Sequence, residues 1–290
     1  IRNKDKLNDI FKEYKPEIIF HLAAQPLVID SYKDPFYTFQ TNFSGTLNIL
    51  ELIRDHKFVK SSILVTTDKV YENKEQNIGY VESDSLNGSD PYSASKAAAE
   101  ILINSYIKSF FNEKNSPHIA SVRAGNVIGG GDWANDRIIP DAIRSFLNEE
   151  DLQVRNPNSV RPWQNVLEPL GGYIILAQSL FKDHKFSGGW NFGPKEDDHK
   201  TVIEVINLLK SEWKAKNKII VNKNSEFLET NILKLNCEKA SKLLDWRPVW
   251  NLETTIKKLT NWYKQEMIEK KLISLCISDI EEYISIYNNK

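Results

Sequence analysis

Short apolar runs alternate with longer amphipathic stretches through the first 125 residues. Residues 4–14 set Leu7, Ile10 and Phe11 on one side of a helix that Pro16 ends. Residues 17–22 are a brief apolar run, the pattern of a buried strand. Across 34–56, Phe36, Phe39, Phe43, Leu47, Leu50 and Ile53 recur at three- and four-residue steps, which predicts one long helix. A strand over 61–66, a polar loop over 72–89, a helix over 90–111 and a strand over 118–123 follow. Asp90 and Pro91 suit the cap and first turn of that second helix. Such alternation predicts a parallel sheet with helices on both faces.

From residue 126 the pattern changes. A glycine-rich loop, 126–133, precedes a helix over 136–148 and a short strand over 152–155. Residues 156–164 read as an irregular polar loop. A helix over 166–182 and a strand over 189–192 return to the sheet. Helices over 201–213, 237–244 and 252–268 and a strand over 218–222 build a smaller lobe, and 274–288 is an appended helix. The expected fold class is α/β: a doubly wound parallel sheet with a smaller α/β lobe. Its parts would be 1–125 with about 165–192, 126–164 with 193–270, and a tail, 271–290. No repeat or low-complexity linker separates them.

Composition narrows the function. The 290 residues carry 38 Lys and Arg against 39 Asp and Glu, a net charge of −1, so no global field attracts nucleic acid or an anionic membrane. An anionic ligand would need local arginines, lysines and N–H groups. Cys237 and Cys276 have no redox or metal spacing and the five histidines form no ligand pair, so a reduced cytosolic protein without a metal site is expected. No apolar run reaches membrane-spanning length.

The chemistry gathers at two places. The run Ile63, Leu64, Val65 ends abruptly in Thr66, Thr67, Asp68 and Lys69, polar groups delivered to the carboxyl edge of a sheet, where open α/β sheets bind ligands. Tyr92 and Lys96 then lie one turn apart on one helix face, and Tyr92 alone of 11 tyrosines has a lysine four residues on. Chance supplies such a pair, and a solvent-facing pair is the plain alternative. A tyrosinate base would need its phenol brought from ~10 toward ~7, about 4 kcal/mol of stabilisation of the anion. A neighbouring ammonium and a cationic nicotinamide would contribute. A strand-end threonine followed by Tyr-x-x-x-Lys, in that order, is far more specific than the pair alone.

Those motifs resemble the extended short-chain dehydrogenase/reductases, and within them the nucleotide-sugar 4,6-dehydratases. The strand end of most such dehydratases reads Thr-Asp-Glu. Here it is Thr67, Asp68, Lys69, followed by Val-Tyr-Glu-Asn, which is similar to the CDP-glucose 4,6-dehydratases. Further likeness lies in His-Leu-Ala-Ala-Gln-Pro from His21, Asp-Pro-Tyr-Ser-Ala-Ser-Lys from Asp90, Val-Arg-Ala-Gly-Asn-Val-Ile-Gly-Gly-Gly-Asp-Trp from Val122, and Arg-Pro-Trp-Gln from Arg161. The likeness covers about residues 1–265.

The resemblance implies NAD and a CDP-glucose substrate. Ala23, Ala24, Gln25, Thr66, Tyr92 and Lys96 would contact the cofactor, with Lys96 on the nicotinamide ribose. Tyr92 would take the 4-hydroxyl proton as C4 passes hydride to NAD, with Thr67 on the same oxygen. The ketone acidifies C5–H, water leaves from C6 with Asp68 as acid, and hydride returns to C6. Lys69 stands where relatives carry a glutamate base, so it would be a neutral base or an enolate stabiliser; a strand-end ion pair with Asp68 is the plain alternative. Asn126 and Arg161, then Arg137 and Arg155, are pyrophosphate candidates, and Trp133 and Trp163 either line the cleft or pack the core. His21 reads as structural. The family also opens with a Gly-x-x-Gly-x-x-Gly turn on the cofactor pyrophosphate. None of the 12 glycines supplies it, which leads us to expect a chain lacking roughly 60 residues, two βα units, and binding NAD weakly. Rival readings are another dehydratase, decarboxylase or epimerase, or a non-catalytic nucleotide-binding module. Apolar positions on several sides of the helices at 34–56 and 90–111 suggest a homodimer.

Overall fold

A computed structural model describes residues 1–113, 116–221, 230–268 and 272–289. Four parallel strands form the main sheet, in the order β1 (Ile18–His21), β2 (Ser61–Val65), β3 (His118–Ala124), β7 (Gly188–Phe192). Neighbouring residues on a strand point to opposite faces. Ile63, Ala120 and Val122 therefore meet Leu176, Ala177 and Leu180 of α7 (Leu167–Lys182) on one side. Leu64 and Ile119 meet Phe11 of α1 (Lys4–Tyr14), Ile49, Leu50 and Ile53 of α4 (Gly45–Asp55) and Ile103 of α5 (Pro91–Phe110) on the other. The parallel sheet covered on both faces is as the alternation predicts.

Helix α5 begins as expected, with Asp90 accepting from the Ser93 amide at 2.9 Å and Pro91 in the first turn. Its buried positions include Tyr92, Ser95, Lys96, Ala97, Ala99 and Glu100, so small and polar groups rather than an apolar stripe face the sheet. At its centre is a buried ion pair. Glu100 accepts from Arg123 Nε at 2.9 Å and Nη2 at 2.8 Å, from Thr66 Oγ1 at 2.6 Å and from Ser121 Oγ at 2.8 Å. Arg123 Nη1 donates to the Tyr71 hydroxyl at 2.8 Å, which donates to Asn191 Oδ1 of β7 at 2.7 Å. Burial opposes the charge on Glu100, but Arg123, Thr66 and Ser121 together hold its carboxyl below the usual value.

Two expectations fail. Residues 34–56 are not one helix: α3 (Pro35–Phe39) and α4 are joined by a π-helical turn, Gln40–Ser44, and a further helix, α2 (Val28–Lys33), precedes them. A π turn inserts a residue and rotates the following face. Phe36, ahead of that turn, is 70 % exposed, while Thr38 ahead of it and Thr41 and Asn42 within it are buried. Asn42 then bonds the Gln25 backbone in both directions, at 2.8 and 3.0 Å, and Ser95 Oγ at 2.9 Å. The second failure is the loop at 156–164. Most of it is β6 (Val160–Asn165), parallel to β4 (Asn126–Ile128) and antiparallel to β8 (His199–Thr201). Arg161, Gln164 and Asn165 are buried polar residues, so the strand carries no apolar alternation to read.

A second cluster joins Ile139, Ile143 and Phe146 of α6 (Ile138–Asn148), Val205, Ile206 and Leu209 of α8 (Val202–Trp213), and Leu252, Ile256 and Leu259 of α10 (Leu252–Ile268). Beside it, β5 (Leu152–Val154) pairs with β9 (Ile219–Val221); residue 222 of the expected strand lies outside the described residues. Helix α9 (Glu238–Leu244) and α11 (Leu272–Asn288) complete the chain; residues 271 and 290 of the expected tail also lie outside them. No helix among the described residues is long and apolar enough to cross a membrane.

Arg123→Met leaves Glu100 charged, buried and short of its main donor. It is expected to cost about 3–5 kcal/mol, read as a lower urea midpoint, with much of the loss recovered in Arg123→Met/Glu100→Met. An unchanged midpoint for the single variant contradicts the pairing.

Candidate active site

The carboxyl ends of the sheet strands open onto a cavity of about 760 Å³. Thr67, Asp68, Lys69 and Tyr92 line it, together with Asn126, Arg137, Arg155 and Arg161. These eight sequence candidates come from six places: the end of β2, the first turn of α5, β4, the start of α6, the residue after β5, and β6. Lys96, Ala23, Ala24, Gln25 and Thr66 are not among its walls. Thr66 and Gln25 have their side chains engaged elsewhere. Thr66 donates to Glu100, and the Gln25 amide donates to Thr38 Oγ1 at 2.8 Å and accepts from the Leu27 amide at 2.6 Å.

Thr67 lies two residues past the strand and caps a short 3₁₀ turn, Asp68–Val70. Its hydroxyl donates to Asp68 Oδ1 at 3.0 Å and is hydrogen-bonded with Tyr92. Asp68 is almost wholly buried, and among the described residues its Oδ2 has no hydrogen-bond partner. Burial pushes its carboxyl up to about 6, against the pull of Lys69, the Thr67 hydrogen bond and Arg161. Two positive groups thus face a buried carboxyl that holds its proton more tightly than an ordinary aspartate does.

Tyr92 behaves differently from the sequence expectation. Burial raises its phenol to about 12, and Lys96 is not among the groups that lower it; the Thr67 hydrogen bond and Arg137 are. Lys96 instead donates to the Val65 carbonyl at 3.0 Å, and burial lowers its ammonium to about 8, with Glu100 one turn on resisting. His21 is structural: its Nε2 lies 3.2 Å from Thr46 Oγ1 and burial drops its pKa to about 4.

The arginines are each held. Arg161 donates to the carbonyls of Val160 at 2.9 Å and Thr230 at 2.6 Å. Arg137 is bridged to Asp132 at 3.0 Å and Arg155 to Asp136 at 3.7 Å. Trp163 packs in the second cluster, donates to the Lys200 carbonyl at 2.9 Å and also lines the cavity, whereas Trp133 stands edge-on to Tyr263. The glycine-rich loop lies under Trp262: a Cβ on Gly130 would come within 2.1 Å of its ring, and Gly131 has φ +83°. Sequence reasoning missed Asp132, Asp136 and Glu100. Only Glu100 left a signal, four residues after Lys96 on the same helix face.

Asp68 has a folded pKa above its ordinary 3.8, so the fold binds that proton more tightly than the unfolded chain does. Stability from this group is full below 3.8 and is lost as pH rises through about 6. The gap is worth roughly 3 kcal/mol. Asp68→Asn should therefore melt higher than the parent at pH ~7.5 and nearly together with it at pH ~4. Equal differences at both would contradict the assignment.

The chain resembles known proteins in both sequence and fold. A sequence model of the GDP-mannose 4,6 dehydratase family matches residues 1–259. The chain is 43% identical, over 98% of its length and 81% of the relative's, to the CDP-glucose 4,6-dehydratase of Salmonella typhimurium strain LT2. Its fold is similar to that of the dTDP-glucose 4,6-dehydratase of Bacillus anthracis, solved in complex with NAD, with TM-score 0.77 and 24% identity over 93% of this chain and 80% of that one. The UDP-glucose 4-epimerase of Thermotoga maritima, solved with UDP-glucose, gives TM-score 0.81 and 20% identity over 92% and 83%. The matched stretch includes the Thr67–Tyr92–Lys96 elements and every cavity arginine, and the chain belongs to the GDP-mannose 4,6 dehydratase family of nucleotide-sugar 4,6-dehydratases.

Proposed function

We propose that the protein converts CDP-glucose to CDP-4-keto-6-deoxyglucose and water. The observation that carries this is Asp68: buried, without a partner at Oδ2 among the described residues, lifted to about 6, and beside a hydrogen-bonded Thr67–Tyr92 pair in a cavity lined by arginines. Loss of water from C6 is served by a general acid whose pKa is moved toward the working pH. The identity with the relative named CDP-glucose 4,6-dehydratase supports the cytidine nucleotide.

In this reading Thr67 and Tyr92 hold the 4-oxygen, and Tyr92 removes its proton. Its phenol starts near 12, so the base needs positive charge that the protein alone does not bring against it. Asp68 gives its proton to the departing 6-oxygen. Lys69 faces C5 as base or as the charge that holds the enolate. Arg161 and Asn126, then Arg137 and Arg155, take the diphosphate, where a guanidinium offers paired N–H donors. The cofactor in this reading is NAD. The residues fit its nicotinamide ribose: Lys96 is buried, and among the described residues its ammonium has one acceptor, Val65, for three N–H groups. Backbone at Ala23, Ala24, Gln25 and Thr66 would line the rest. When bound, NAD supplies the reversible oxidation at C4 and the reduction at C6.

The same reading assigns 1–125 with about 165–192 to the cofactor and 126–164 with 193–270 to the nucleotide sugar, in a cytoplasmic homodimer. Exposed Phe36 and Phe39 on α3 and Ile101 and Phe110 on α5 support the dimer. Sedimentation giving a folded monomer at micromolar concentration would contradict it. A non-catalytic nucleotide-binding module is the second reading.

Mass spectrometry of CDP-glucose incubated with the protein and NAD decides between them. Loss of one water is expected. Tyr92→Phe should give neither product nor transient NADH absorbance, whereas Asp68→Asn should give the absorbance without water loss. Binding of CDP-glucose with no change in mass would favour the second reading.

A further inference from the structure

Six non-glycine residues among those described have positive φ. Lys15, Glu149, Lys214 and Asp245 end helices, where the left-handed conformation is routine. The other two, Glu75 and Asp136, are carboxylates in loops. Asp136 bridges Arg155 at the cavity. Glu75, at φ +52°, is exposed and away from the cavity walls, so its strained backbone lacks a local explanation.

Its side chain supplies one. Glu75 Oε1 accepts from the Asn231 amide at 2.9 Å and Oε2 from the Ile232 amide at 2.9 Å. The turn that aims it is closed by Asn73, whose Oδ1 accepts from the Glu75 amide at 2.8 Å while its Nδ2 donates to the Ile232 carbonyl at 3.0 Å. In a trans peptide the N–H and C=O point in opposite directions. The N–H of Asn231 shares its plane with the carbonyl of Thr230, and the N–H of Ile232 with the carbonyl of Asn231. Gripping the two N–H groups from one side therefore turns both carbonyls to the other. Arg161 is there: its Nη2 donates to Thr230 O at 2.6 Å and its Nη1 to Asn231 O at 3.4 Å.

We infer that Glu75 is a positioning residue for Arg161, setting the carbonyls that orient the guanidinium toward the substrate diphosphate. The inference rests on the proposed reading that Arg161 holds that diphosphate. It links the loop after the catalytic strand to the phosphate end of the site, across 86 residues of sequence.

Calorimetry with CDP-glucose on the full chain tests it, with Glu75→Gly, Arg161→Ala and the double variant. Glu75→Gly removes the carboxylate and relieves the positive φ, so its melting temperature should hold while the CDP-glucose Kd rises about tenfold. In the Arg161→Ala background the same change should add nothing. Glu75→Gln, which keeps one acceptor oxygen, should fall between and serves if the glycine variant folds poorly. An unchanged Kd for both Glu75 variants, or an equal loss in both backgrounds, overturns the inference and leaves the function standing. Unaltered binding by Arg161→Ala removes the reading of Arg161 and the inference with it.

Discussion

The bidentate pair of Arg123 and Glu100 is the constraint from which the site follows. An ion pair this deeply buried is tolerated only when its remaining hydrogen-bonding capacity is met. Here the carboxylate takes Thr66 and Ser121 as well as the guanidinium, and the guanidinium reaches Tyr71. The partners lie on α5, at the end of β2, on β3, and through Tyr71 and Asn191 on β7. One network therefore fixes the helix carrying Tyr92 and Lys96 against the strand end carrying Thr67 and Asp68. A slip along the helix would strand a charge, so the hydroxyls of Thr67 and Tyr92 are held at a fixed separation, which the proposed chemistry requires.

A second tier of contacts governs the arginines. Arg137 and Arg155 lean on aspartates, and Arg161 on backbone carbonyls. Arg161 and Lys69 both pull Asp68 toward ionisation, yet burial keeps its carboxyl near 6. In the proposed reading, positive charge for a diphosphate and an acid for the leaving hydroxyl share one cavity. The balance leaves Tyr92 unready on its own, its phenol raised rather than lowered. In the proposed reaction that places the switch with the bound ligands: the base is made only when charge arrives beside it.

The strands, α5 and the Thr67–Tyr92–Lys96 order were legible because buried parallel strands and a capped helix write themselves as apolar runs and turn residues. Arg161 was legible as a cavity residue too, as a charge inside the Arg-Pro-Trp-Gln motif. What escaped was polar burial. Thr38, Thr41 and Asn42 face inward where Phe36 and Phe39 set the apparent period, and polar side chains turned inward leave no apolar repeat to read. The strand at Val160–Asn165 hides behind Arg161, Gln164 and Asn165 for the same reason. Gln25 and Thr66 were read as facing a ligand, but their side chains serve the framework. Pairings such as Glu75 with Asn231 leave no local pattern, since their partners are 156 residues apart.

The most direct test is a crystal structure of the protein with CDP-glucose bound. The account predicts the 4-oxygen of the sugar within hydrogen-bond reach of both Tyr92 and Thr67, the 6-hydroxyl at Asp68 Oδ2, and the diphosphate on Arg161. A sugar bound in the same cavity with its 6-hydroxyl away from Asp68, or with the diphosphate off Arg161, would contradict it.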